Sequence, residues 1–304
     1  MHRVLIMFLH MLRLISIVRP GIVLALLWTP AAVAFLAAGG IPPIRRTIFG
    51  VLTAVAAIGS AHTLNDFFDR DIDRLNRRTR RRPLAAGTIA PRTVLIFSCV
   101  LGILGLGFAS LLNRVCLSLL ILGLAASVLY SAVLKRTLWG FLVPALATVL
   151  FVLGAWAAYR PSEILHPIPL LVAFTGFCFE LQPYWCHTIL DVEGDRKGRA
   201  KTIPNTYGTR FTGTVMLVLY VVSPAALIAL WAVAGLSMFY LAVVLFAGGL
   251  VLVAYVDFAV RHAPGKARWL FVFSMGYITM ISMCIVGEKT VLSLSRFIRY
   301  VQRI

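Results

Sequence analysis

The sequence is poor in acid. Only 11 of its 304 residues are Asp or Glu, and charged residues of both signs make up 13% of the chain, about half the share of an ordinary soluble domain. With 60% apolar residues and a mean hydropathy of +0.91, too little polar surface remains to cover a soluble globule, so the class is a polytopic membrane protein. No hydrophilic stretch is long enough for a separate soluble domain, and residues 1–304 are expected to form a single transmembrane domain. The chain also lacks a CxxC pair, zinc-ligand spacing and any module of interleaved aromatic and basic residues. Its five cysteines, Cys99, Cys116, Cys178, Cys186 and Cys284, lie mostly in apolar stretches and read as small buried hydrophobes. The net charge of +18 is explained by basic loops that hold a membrane protein in its orientation, and nucleic acid is not expected as a partner. Residues 1–20 show no small-residue cleavage site and run into a longer apolar stretch, which predicts a retained, amphipathic, cytosolic N-terminal segment.

What the chain has in abundance is span-length apolar sequence. About 20 apolar residues cross the hydrocarbon core, and nine stretches qualify: 21–39, 47–65, 93–112, 115–134, 138–158, 165–187, 212–233, 236–260 and 269–287. Gly, Pro or charge separates them, as in Gly39-Gly40-Ile41-Pro42-Pro43 and His262-Ala263-Pro264-Gly265. The expected fold is all-α. With the N-terminus inside, 21 of the 29 Lys and Arg residues fall in inner segments, so the inner side is assigned to the cytosol. The tail, residues 288–304, alternates apolar and basic positions and is expected to be an amphipathic helix along the interface.

The few acids are concentrated. Asp66, Asp69, Asp71 and Asp73 follow the second span, and Asp191, Glu193 and Asp195 follow the sixth, so 7 of 11 occupy two short clusters on the same expected side. Acids near membrane depth are expensive and mark functional sites. If the second span continues as a helix, Asp66, Asp69 and Asp73 at i, i+3 and i+7 share one stripe, Asn65 borders it, and Asp71 faces elsewhere. Asp191 and Asp195 coincide at i, i+4, while Glu193 points away. Carboxylates on one face repel each other unless a cation intervenes. Hard oxygens, with no thiol and no His at ligand spacing, favour Mg²⁺, whose remaining coordination positions suit phosphate oxygens. Basic runs follow each cluster, from Arg74 to Arg82 and from Arg196 to Lys201, and Lys135-Arg136 follows the fourth span. Most of these serve orientation; Arg82 and Lys201 stand out by their place in longer motifs.

Those motifs resemble the UbiA superfamily of intramembrane prenyltransferases. Asn65, Asp66, Asp69 and Asp73 match NDxxDxxxD; Arg78, Thr79, Arg82, Pro83, Leu84 and Gly87 match the following R-T-x-x-R-P-L-x-x-G. Tyr130-Ser131 with Leu134-Lys135-Arg136-Thr137 resembles YS-x-x-LKR-x-T. Asp191, Glu193, Gly194, Asp195 and Arg196 match the second motif, which continues as Lys201-Thr202-Ile203-Pro204. The matches are in order and span essentially the whole chain. The resemblance implies about nine transmembrane helices around a central cavity, capped by cytosolic loops. It implies transfer of a prenyl group from a polyprenyl diphosphate, through an allylic carbocation, to a lipophilic or aromatic acceptor. It implies Mg²⁺ held by Asn65, Asp66, Asp69, Asp73, Asp191 and Asp195. It further implies a diphosphate assisted by Arg78, Arg82, Lys135, Arg136, Arg196 and Lys201, and a carbocation faced by Tyr130. The bilayer is the remaining partner, the cell membrane if the source is prokaryotic, with the active site on the cytosolic side.

The second motif looks most like geranylgeranylglyceryl-phosphate and homogentisate-type transferases, and the first looks closer to 4-hydroxybenzoate polyprenyltransferases. The haem-O-synthase and chlorophyll-synthase versions fit less well. The run Leu181 to His187 departs from the usual pattern and contains Pro183, a candidate kink. Two other readings stay open: a terpene cyclase on the same fold, with no acceptor, and a membrane transporter. The acids sit at span ends and not at the midplane where transporter sites usually lie.

Overall fold

The computed structural model describes residues 11–76, 78–197 and 200–302, without the side chains of Arg136 and Pro264. Residues 1–10 of the expected N-terminal segment and the Arg136 side chain lie outside the described residues. The chain is 84% helix, with no strand among the described residues. In order it forms α1 (Met11–Ala38), α2 (Ile44–Leu75), α3 (Pro91–Ser110), α4 (Arg114–Ala132), α5 (Leu142–Ala157), α6 (Pro167–Leu190), the short α7 (Val192–Lys197), α8 (Ile203–Ala234), α9 (Met238–Arg261) and α10 (Ala267–Val301). Seven of these, α1 to α4 and α8 to α10, are long and apolar enough to cross a membrane, and α5 is a shorter apolar helix. With the 24-residue α6, which carries Glu180, Gln182 and His187, they account for the nine expected spans.

Three features of the helices position the site. Pro20 disfavours helical geometry in the residue before it, and Arg19 adopts the left-handed conformation at φ 61°, so α1 turns at the point where Arg19 leaves it. The 32 residues of α2 reach about 48 Å, well beyond a hydrocarbon core of about 30 Å; its final turns, which carry the first Asp motif, therefore stand clear of the core. Gly208, at φ 84°, breaks α8 after its first turn, and that turn joins α7 among the loops on the motif side.

Without a hydrophobic drive between helices in lipid, packing relies on small residues and interhelical hydrogen bonds. Tyr220 donates to the Gly248 carbonyl at 2.7 Å, Tyr277 to the Val244 carbonyl at 3.0 Å, and Tyr255 pairs with Ser274 at 2.6 Å. Together they tie α8, α9 and α10 into the largest core, which α6 joins through Phe179. At the opposite end from the Asp motifs, Glu288 accepts hydrogen bonds from the backbone and hydroxyl of Ser237, which caps α9. Residues 288–301 continue α10 without a break, and Ser293 accepts from the Ile41 backbone at 3.0 Å.

Candidate active site

The first Asp motif forms as its periodicity predicts, because α2 runs unbroken to Leu75. Asp66, Asp69 and Asp73 are all buried, while Asp71 is exposed and pairs loosely with Arg70 and Arg74. Asn65 donates to Asp69 at 2.8 Å. In the second motif Asp191 ends α6 and Asp195 lies on α7. The Asp195 backbone N–H donates to the Asp191 carbonyl at 2.9 Å, so the helical register carries across the junction; Glu193 is exposed. Gly194 allows α7 to approach α2, since a Cβ there would lie 3.2 Å from the Asn76 side chain.

Four basic side chains from three separate segments close over these acids. Arg82 bridges Asp66 at 3.1 Å and Asp73 at 2.8 Å. Lys135 pairs with Asp69 and donates to Asn65 at 3.1 Å. Arg78 reaches across to the second motif and grips both oxygens of Asp191. Arg19, from the bend in α1, pairs with Asp66. The loop from 76 to 90 that carries Arg78 and Arg82 is pinned by Leu84 and Ile89, which pack with Ile17 of α1 and Val94 of α3. Lys135 sits in a short turn closed by Gly140, where a Cβ would meet the Leu134 carbonyl oxygen at 2.6 Å.

These groups stand at one end of a cavity of about 650 Å³. Asn65, Asp69, Asp73, Arg78, Arg82, Lys135, Asp191 and Asp195 line that end, with Tyr130 below them. The Lys135 ammonium lies over the Tyr130 ring, 5.8 Å from its centre. Most of the remaining wall is apolar, and the cavity continues to Leu112 and Tyr159 on the far side of the bundle. Arg196 and Lys201 are exposed and do not line the cavity: Gly194 takes the inward face of α7, which turns Arg196 outward, and beside Lys201 it is Thr202 that is buried.

The electrostatics follow from burial and pairing. Burial alone would push Asp191 up, but the hydrogen bonds and charge of Arg78 outweigh it and hold the carboxyl below its ordinary range. Burial likewise opposes the Arg78 charge, and Asp191 more than compensates. Asp195 has no ion pair among the described residues; burial, together with the neighbouring Asp191 carboxylate, pushes it up to about 6. Among the described residues no three His, Cys, Asp or Glu side chains converge on one point, and most of the carboxylates are paired with basic side chains. The donor set is nevertheless one of hard oxygens, and Asp195 faces the cavity as a carboxylate still in need of a cation. That chemistry fits a divalent ion such as Mg²⁺.

Sequence reasoning passed over several lining residues. Arg19 gave no signal beyond its charge. Asn76, His62 and His187 also line the polar end, and Glu180 lines the cavity at membrane depth; an intramembrane acid is itself a signal.

The UbiA prenyltransferase family model matches residues 26–278. The protoheme IX farnesyltransferase of Alkalilimnicola ehrlichii is 30% identical over 267 residues, covering 87% of this chain and 88% of that protein. This relative comes from the haem-type branch that the motifs had ranked lower. A structure of a digeranylgeranylglyceryl phosphate synthase shares the fold with a TM-score of 0.72 at 18% identity, covering 92% of this chain and 98% of that one. So does a UbiA homolog from Archaeoglobus fulgidus bound to DMAPP and Mg²⁺, with a TM-score of 0.63, 18% identity, and 90% and 99% of the two chains covered.

Proposed function

This chain belongs to the UbiA prenyltransferase family, and on that premise we propose that it transfers a prenyl group from a polyprenyl diphosphate to a lipophilic or aromatic acceptor. The observation that supports this most is the division of one cavity into two chemistries. Five cavity-lining side chains of the two Asp motifs, with Arg78, Arg82 and Lys135 beside them, occupy one end, and a largely apolar wall takes the rest. A diphosphate matches the first and an isoprenoid chain the second.

Mg²⁺, held by Asn65, Asp66, Asp69, Asp73, Asp191 and Asp195, would polarise the diphosphate oxygens as a Lewis acid. Arg78, Arg82 and Lys135 bind the same group. Each now neutralises an Asp, and each would be free to turn toward phosphate oxygens once a cation neutralised those carboxylates. The bond between C1 of the prenyl chain and its oxygen breaks, and the electron pair leaves with the diphosphate. The apolar wall excludes water from the allylic cation, and the Tyr130 ring offers it a π face. An acceptor nucleophile then bonds to C1 and releases its proton. The excess of basic residues on the motif side supports a cytosolic face for this chemistry. A farnesyl-sized donor and a protoheme-type acceptor enter the reading from the curated relative, beside benzoate-like, homogentisate-like and glyceryl-phosphate-like acceptors.

The test is product analysis by mass spectrometry on the purified chain in lipid nanodiscs, with Mg²⁺ and a matrix of prenyl diphosphates and acceptors. The expected result is a prenylated acceptor with equimolar diphosphate, both abolished by EDTA. A terpene hydrocarbon or alcohol formed with full turnover and no acceptor would replace transfer with cyclisation. No Mg²⁺-dependent diphosphate release from any donor would sink both.

A further inference from the structure

The α6 wall of the cavity carries a polar stripe of which the diphosphate chemistry uses only the Asp191 end. Glu180, Tyr184, His187 and Asp191 follow at i, i+4, i+7 and i+11, so they share one face of the helix, and all four line the cavity. Asp191 belongs to the second Asp cluster. Glu180 lies eleven residues deeper, about 16 Å along the helix axis. Among the described residues its carboxyl accepts one hydrogen bond, from Thr148 of α5 at 3.3 Å, and forms no ion pair. The four Arg and Lys residues that line the cavity, Arg19, Arg78, Arg82 and Lys135, are each engaged with an Asp of the clusters. Positive charge is thus confined to the mouth, and a single carboxyl stands at depth.

An acid at membrane depth is costly and persists where it has a task. An isoprenoid chain has no donor to offer it. The wall contributed by α1 and α2, with Leu26, Pro30, Ala34, Ala57 and Ile58, suits the chain instead, which leaves the α6 stripe to the other substrate. An acceptor whose far end carried a carboxylate would set a second acidic group against Glu180, with no cation at that depth among the described residues to neutralise the pair. An acceptor whose far end carried a hydroxyl or amine would donate a hydrogen bond to Glu180, while Thr148 holds the carboxyl in place. A site built to pair with a polar substituent rejects the analogue that leaves it unpaired.

We propose that Glu180, positioned by Thr148, selects the acceptor, and that the acceptor presents a neutral hydrogen-bond donor at its far end and not a carboxylate. This rests on the prenyl-transfer reading above and narrows its acceptors, setting aside the benzoate-like and homogentisate-like ones that carry a carboxylate.

The test uses the full chain in nanodiscs with Mg²⁺, farnesyl diphosphate and a matched pair of probes, 6-(hydroxymethyl)-2-naphthol and 6-hydroxy-2-naphthoate, with diphosphate release and prenylated product read separately. The expected result is a preference of about tenfold or more for the neutral probe, the scale of one discriminating hydrogen bond. Glu180→Leu should bring the ratio close to one while diphosphate release continues. Glu180→Gln, a near-isosteric change that keeps the fold, should admit the carboxylate probe, and Thr148→Val should weaken the preference in part. Equal use of the two probes, an unchanged ratio in the Glu180 variants, or release of diphosphate with neither probe prenylated would overturn the assignment. Absence of Mg²⁺-dependent diphosphate release in the unmutated chain would instead overturn the prenyl-transfer reading, and this assignment with it.

Discussion

Replacing Arg82 by Ala removes the one side chain among the described residues that joins the two ends of the first Asp motif. Its guanidinium lies 3.1 Å from Asp66 and 2.8 Å from Asp73, and the two carboxylates are only 3% and 10% exposed. Breaking a buried pair by deleting one partner costs about 3–5 kcal/mol. Arg19 still neutralises Asp66, and Arg82 is itself 22% exposed, so the cost is discounted to about 2 kcal/mol. For a chain of this size that lowers Tm by about 3–6 °C in EDTA. A cation that binds the same carboxylates replaces the missing charge: at a hundred times its Kd, Mg²⁺ contributes about 2.7 kcal/mol, enough to recover the loss. Thermal unfolding in nanodiscs, with EDTA and with Mg²⁺, measures both effects. The variant should be the less stable protein in EDTA and should gain more from Mg²⁺ than the unmutated chain, while Arg82→Lys falls between them. A variant as stable as the parent in EDTA, or one that Mg²⁺ stabilises no further, would refute the electrostatic account of the motif.

Two further outcomes follow from the same geometry. In metal-free protein the folded state holds a proton on Asp195, pushed up to about 6, that the unfolded chain has already lost; stability should therefore fall as pH rises from near 4 to about 6, and Asp195→Asn should flatten that fall in a pH series of thermal scans. Gly140→Ala puts a methyl group 2.6 Å from the Leu134 carbonyl oxygen, which forces the turn carrying Lys135 to move. Diphosphate release should drop by about tenfold or more, the scale of a misplaced catalytic group, while Gly107→Ala, whose added methyl meets no atom within 4 Å and lies outside the cavity lining, leaves release unchanged.

The Asp motifs were legible because helical periodicity is a local property. Asp66, Asp69 and Asp73 needed only that α2 continue past the membrane, and Asp71 and Glu193 fell on the outer faces where their offsets put them. The partners of those acids are set by tertiary structure. Arg19 pairs with Asp66 across 47 positions, and Arg78 with Asp191 across 113; nothing in either local sequence reports such distances. Arg196 and Lys201, by contrast, sit beside a motif in sequence and outside the cavity lining in space. The span count was readable from apolar length, but the tail was not: the amphipathic pattern of 288–301 suits an interfacial helix and the end of a long straight one equally, and the contacts of Glu288 and Ser293 with other helix ends accompany the second arrangement.

The most direct measurement is Mg²⁺-dependent release of diphosphate from farnesyl diphosphate by the purified chain, compared with its Asp66→Asn and Asp191→Asn variants. The account predicts release that EDTA abolishes and that each substitution lowers by about a hundredfold or more, the scale of removing one preorganised electrostatic contact to a leaving group. Release of equal rate in both variants, or release indifferent to Mg²⁺, would contradict the claim that the two Asp clusters activate the diphosphate.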